Sequence, residues 1–145
     1  MNDTYITVTE FLTLLAGSSP AGIVVPADWY KGTDILINDE PLQRKNAARL
    51  FHLFLLRVLK EADEENTDKA WKLRDIYDCR VCAAHIAQIY QKGIMDAFFY
   101  EDVAKGGSSQ KEDGFSVFEN NRNIGKEEAI DCIKRVYDAE LRRKR

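Results

Sequence analysis

The chain has 145 residues, 45% apolar and 31% charged, with a formal net charge of −3. That length suits one compact domain burying roughly 70% of its unfolded surface, and the composition excludes global disorder. The acidic balance gives no general pull toward nucleic acid, and no stretch approaches the ~20 apolar residues that insertion across a membrane requires.

Thr7 to Glu10 reads T-V-T-E, a capping-box pattern, and Val8, Phe11, Leu12 and Leu15 follow at helical spacing. Gly17, Ser18, Ser19 and Pro20 stop that helix. Residues 18–41 carry all three prolines and read mainly as loop, with a helical turn near Ala27 to Lys31 that turns Trp29 and Tyr30 inward. Pro41 then suits the first turn of a helix, where its missing donor costs nothing. This helix is expected to run to about Glu61, with an apolar stripe of Ala47, Leu50, Phe51, Phe54, Leu55, Val58 and Leu59. His52, Arg57 and Lys60 fall on the other side, so His52 reads as a surface histidine.

The run A-D-E-E-N-T-D is an acidic connector over 61–68. A short helical segment over Thr67 to Tyr77 follows, anchored by Trp71 and Leu73. Asp78 can cap the next helix, which reaches Gln91 with Cys82, Ile86, Ile89 and Tyr90 inward, and Gly93 suits the left-handed position past its end. Residues 101–123 read as an extended loop with a mobile polar middle at Gly106 to Asp113. The last helix starts near Lys126 with Gly125 as N-cap and Glu127 and Glu128 in its first turn. Ala129, Ile130, Ile133, Val136 and Tyr137 share one face, and the helix is expected to end in L-R-R-K-R. The basic end formed by Arg142, Arg143, Lys144 and Arg145 has no interleaved aromatics, so it reads as complementing the helix dipole rather than as a nucleic-acid contact.

A repeat organises these elements. Leu36 and Phe118 are each followed two positions later by Asn (Asn38, Asn120), then by Leu42 and Ile124, by Arg44 and Lys126, and by Ala47 and Ala129. The expected fold is therefore all-α: two helix–loop–helix repeats, 5–62 and 67–141, packed as one domain with long connecting loops. Neither copy could bury its apolar faces alone.

Ile86, Ile89, Tyr90, Lys92, Gly93 and Ile94, followed by Gly114, Phe118 and Ile124-Gly125-Lys126-Glu127-Glu128-Ala129, resemble a repeat of the S-layer homology domain family. In that family a helix leaves through Gly-Ile, a loop carries a glycine and an aromatic, and a second helix begins Ile-Thr-Arg-Ala-Glu. Leu42-Gln43-Arg44-Lys45-Asn46-Ala47 stands at the motif position upstream. The motif threonine is Gln43 in one copy and Gly125 in the other, and the glutamate survives only as Glu128. The resemblance implies a non-catalytic binding module for an anionic bacterial cell-wall polysaccharide, held in grooves between repeats. It makes Arg44 and Lys126 the expected ligand-binding residues, equivalent and partly exposed. A guanidinium at a helix start can fork onto a carboxylate, whereas a lysine keeps only the charge.

The N-terminal stretch has no basic region and reads as a poor secretory signal, which points to the cytoplasm, while the family resemblance points to the cell surface. The first location favours the alternative function, an intracellular helical adaptor on the same scaffold whose partner is a protein. Trp29, Tyr30, Phe98, Phe99 and Tyr100 would form its partner surface if exposed together. Self-association through the ends of a two-repeat stack is a further expectation.

Three cysteines are too few for a disulfide scaffold and agree with a reducing compartment. Cys79 and Cys82 form a C-x-x-C with His85 three residues on, and Cys132 could join them as zinc ligands. The pair could also be redox-active, but ordinary packing is the preferred reading. No cofactor or metal is expected, and no catalytic constellation is visible, so the chain reads as a non-enzyme.

Overall fold

The computed structural model describes residues 4–101, 114–143 and 145. Among the described residues four α-helices carry the fold: α1 (Val8–Gly17), α2 (Arg44–Arg57), α3 (Arg80–Gln91) and α4 (Lys126–Tyr137). Two strands, β1 (Phe98–Glu101) and β2 (Gly114–Val117), pair antiparallel with Phe98 opposite Val117 and Tyr100 opposite Phe115. The fold is thus mixed rather than all-α. The strands replace part of the loop expected over 101–123, because Phe98, Phe99, Tyr100, Phe115 and Val117 have the aromatic and β-branched character that a pleated surface favours. The expected polar middle at Gly106 to Asp113 lies outside the described residues. Among the described residues no helix is long and apolar enough to cross a membrane.

The helix starts follow local chemistry. At α1 the Thr7 hydroxyl accepts from the Glu10 N–H at 3.1 Å while the Glu10 carboxylate accepts from the Thr7 N–H at 3.0 Å, a complete capping box. α4 begins at Lys126 after Gly125, as its sequence suggests. α2 is shorter than expected. It runs from Arg44 to Arg57, and Pro41 lies three residues before it in an extended segment bridged to Thr7. The 67–77 region forms two 3₁₀ turns, Ala70–Lys72 and Ile76–Asp78, which bury Ala70, Leu73 and Ile76 while Trp71 stays at the surface. α4 stops at Tyr137, well before the terminal basic run.

Three extended segments enter α1, α2 and α4, and they meet in a closed ring. The Leu42 N–H donates to the Ile6 carbonyl at 2.9 Å, Ile124 N–H to Leu42 at 2.8 Å, and Ile6 N–H to Ile124 at 3.3 Å. All three side chains are buried. Each segment also caps a neighbouring helix with backbone carbonyls. Glu40 and Asn38 accept from Val8 and Thr9 of α1, Arg122 and Asn120 accept from Arg44 and Lys45 of α2, and Thr4 accepts from Lys126 of α4. These orphan amides are satisfied by backbone, and Glu10 of α1 adds a side-chain partner, Thr7. The structure therefore adds a third entry, Tyr5–Thr7, to the two copies seen in sequence. Its own sequence, Asn2-Asp3-Thr4-Tyr5-Ile6-Thr7, repeats the Asn-to-aliphatic spacing of Asn38 to Leu42 and Asn120 to Ile124. The other proposed equivalence fails, since Leu36 is exposed and Phe118 is buried.

One continuous core lies behind the ring. Phe11 meets Phe51 edge to face, and Trp29 does the same with Phe54. The acidic connector is fixed rather than free. Glu61 pairs with Lys92 at 2.9 Å and Arg142 at 2.7 Å, and Glu64 exchanges hydrogen bonds with the Gln88 amide. Gly93 has φ of +79°, and a Cβ there would collide with the backbone of Arg143, whose N–H donates to the Gly93 carbonyl. Here only glycine meets both the backbone angle and the close approach.

Candidate functional site

Arg44 and Lys126 occupy the same position, the first residue of a helix, in two of the three entries. Their surroundings differ. Arg44 is completely buried, so the partial exposure expected for it is not found. Its Nε donates to the Phe118 carbonyl at 2.9 Å, Nη2 donates to the Asp96 carbonyl, and Nη1 faces the Glu128 carboxylate. The rings of Phe98 and Phe118 lie 4.9 and 4.6 Å from the guanidinium carbon. Burial pushes its pKa down to about 10, so it stays cationic at neutral pH. This fork ties the start of α2 to the approach to β1 and to α4. It acts on the protein's own carbonyls and carboxylate, not on solvent.

The cover over Arg44 is held by Asp75. Its carboxylate accepts from the N–H groups of Phe118, Glu119 and Asn120 at 2.7, 2.8 and 3.2 Å. Glu119 sits at φ 68°, a left-handed conformation that a non-glycine residue keeps only when its neighbours impose it. The three bonds to Asp75 supply that constraint.

Lys126 is open, with its side chain 42% exposed and a loose pairing to Glu10 at 3.7 Å. It lines a groove of about 560 Å³ between the entries to α1 and α4, together with Thr4, Tyr5, Arg122, Asn123 and Ile130. Tyr5 is half exposed, and the Arg122 guanidinium rests 4.7 Å over the Phe98 ring. Glu127 and Glu128 also line the groove, but Glu128 is engaged by Arg44. Two cations, two carboxylates and an aromatic face therefore stand together beside a helix start. Arg122 and Tyr5 were not singled out from sequence. The Asn2-to-Ile6 spacing is the signal that could have brought Tyr5 in.

His52 is buried, not at the surface as expected. Its Nε2 lies 2.7 Å from Asp63 and its Nδ1 lies 2.9 Å from His85 Nδ1. The Asp63 carboxylate accepts from His52, and the two imidazoles share one hydrogen bond. Burial, then the neighbouring His52, pushes the His85 pKa down to about 4.

Cys79 and Cys82 are joined by a disulfide, against the reading of ordinary packing and the expectation of reduced cysteines. Cys79 is the N-cap of α3 and Cys82 lies within its first turn. With both sulfurs bonded to each other they are not free to hold zinc, and among the described residues no group of three His, Cys, Asp or Glu side chains could hold a metal. A loop this short removes at most about 2 kcal/mol of unfolded-chain entropy. Cys132 is a buried free thiol whose pKa burial pushes up to about 12.

The aromatic residues expected to share one surface do not. Trp29 is in the core, while Phe99 and Tyr100 are exposed on β1. The terminal arginines do act on helix ends, by folding back. Arg142 donates to the carbonyls of Arg135 and Val136 in the last turn of α4, and Arg145 donates to that of Tyr90 at the end of α3. Comparison with protein-family models, with characterised proteins and with solved structures finds no match.

Proposed function

We propose that the protein is a binding module for an anionic polysaccharide of the bacterial cell wall, as its resemblance to S-layer homology domains implies, and that its contact with the polysaccharide is non-catalytic. The contact lies in the groove beside Lys126. The observation that carries this reading is the convergence of Lys126, Arg122 and the half-exposed Tyr5 between two helix entries. A sugar ring can lie on the Tyr5 face, its acidic substituent can meet Lys126 and Arg122, and Glu127 can accept from sugar hydroxyls. Arg44 takes a different part from the one first expected of it: it orients the scaffold from inside, and the ligand contact passes to Arg122.

Co-sedimentation with native cell walls, and with walls stripped of their secondary polysaccharide, tests the reading. The expected result is retention on native walls alone, lost in Lys126→Ala and Tyr5→Ala. Equal retention on both wall preparations, or none on either, contradicts it. A second reading, a protein-binding adaptor, is favoured by an apolar depression of about 320 Å³ between α1 and α4. Leu14, Ile130, Tyr137 and Leu141 line it, and a co-purifying protein displaced by Leu141→Glu would support that reading instead.

A further inference from the structure

The disulfide lies in a second groove, of about 530 Å³, which shares no residue with the one assigned to the glycan. Cys79 and Cys82 form part of one wall, and the facing residues include Ile35, Leu36, Asn38 and Gln43. The two cysteines are not equivalent: Cys79 is partly exposed, and Cys82 is fully buried behind it. We propose that they form a redox-active pair that exchanges two electrons with the cysteines of a polypeptide segment laid in this groove.

Four features of the site support this. A sulfur at the N-cap of the 12-residue helix α3 faces the positive end of its dipole, and Lys45 and Arg49 line the same groove. Both favour the thiolate, although Asp34 and Glu40 in the groove and Asp78 next in sequence oppose them. The burial order gives each sulfur a task, Cys79 to meet the substrate and Cys82 to resolve. The Cys82 N–H donates to the Cys79 carbonyl at 3.1 Å, a backbone tie that does not depend on the disulfide, so opening the bond is expected to leave the fold in place. Leu36 and Val81 are 75% and 61% exposed beside Asn38 and Gln43. Asn38 Oδ1 accepts from Glu40 and Gln43 Nε2 donates to Asn121, which leaves Asn38 Nδ2 and Gln43 Oε1 for a peptide backbone. That mixture suits an extended peptide rather than a small thiol.

In the reducing direction the Cys79 thiolate attacks one sulfur of a substrate disulfide. A Cys79–substrate bond forms, the substrate bond breaks, and the departing thiolate takes a proton from water. Cys82 then loses its thiol proton to water and attacks Cys79 Sγ. The Cys79–Cys82 bond forms, the mixed disulfide breaks, and the second substrate thiolate is protonated. The substrate gains two electrons and two protons, and the pair becomes oxidised. A peptide dithiol drives the reverse sequence.

The test is dithiothreitol-driven reduction of insulin by the full chain, run beside reduction of oxidised glutathione. Wild type and Cys132→Ala are expected to accelerate insulin reduction, Cys79→Ser to fall to the uncatalysed rate, and Cys82→Ala, reduced beforehand and freed of dithiothreitol, to accumulate a mixed disulfide between Cys79 and an insulin chain, read by mass. Leu36→Glu is expected to slow insulin reduction only. A wild-type rate equal to dithiothreitol alone overturns the proposal, and equal acceleration with glutathione overturns the polypeptide as substrate. A thiol-trapping titration of wild type in glutathione buffers needs no variant. The pair is expected to open while circular dichroism stays native, and opening only on unfolding overturns the proposal.

Discussion

The starts of α2 and α4 are built alike and used differently. In each, the first helical residue is basic, its N–H is capped by a carbonyl of a neighbouring entry, and the preceding aliphatic residue belongs to the buried ring. Over Arg44 lie Phe98 of β1 and Phe118, held down by Asp75. Over Lys126, among the described residues, lies the edge of an open groove. The difference is one of cover, and it converts the same sequence position from an internal brace into a surface charge. A motif position therefore does not carry its role with it. What packs above it decides.

The largest break in this comparison is expected from Arg44→Ala. It strands the buried Phe118 carbonyl, the part-buried Asp96 carbonyl and a Glu128 carboxylate that is one-third exposed, and should lower unfolding free energy by about 3 kcal/mol in urea titration. Asp75→Ala leaves Arg44 intact but releases the 118–120 turn that covers it. The loss should be about 2–3 kcal/mol, with increased proteolysis near Glu119. Thr7→Ala removes the one side-chain cap among the three entries and should cost about 1 kcal/mol. Gly125→Ser would make the α4 entry resemble that of α1. The space around Gly125 is open and its φ of −76° suits any residue, so a gain of a few tenths of a kcal/mol is expected in thermal melts. Smallest is Lys126→Ala, which should stay within about 0.5 kcal/mol of wild type, so that any loss of wall retention reports on binding alone.

The parts of this architecture that are local were legible in the sequence. Thr7 and Glu10 cap each other across one turn, Gly125 and Lys126 start α4, and Gly93 takes the left-handed angle, all within a few residues of the signal. The ring was not, because each segment contributes a single aliphatic residue, Ile6, Leu42 or Ile124, whose partner is far away in sequence. The hairpin was hidden because four-residue strands give too few alternations to stand out from loop composition. Arg44 and His52 were misjudged for a shared reason. His52 lies away from the apolar stripe of α2, whereas Arg44 extends it one turn before Ala47 as a charged residue, and what covers both arrives from elsewhere: β1 and Phe118 for Arg44, the 61–68 connector and His85 for His52. The groove residues Tyr5 and Arg122 were missed with the third entry that brings them together.

The closed ring is the claim on which the rest depends, and amide hydrogen exchange tests it most directly. The account predicts that the amides of Ile6, Leu42 and Ile124 exchange together, at the rate of global unfolding, since none can open without breaking the others. Fast exchange at Ile6 with Leu42 and Ile124 still protected would contradict it, and would reduce the N-terminal entry to a segment resting on a two-copy fold.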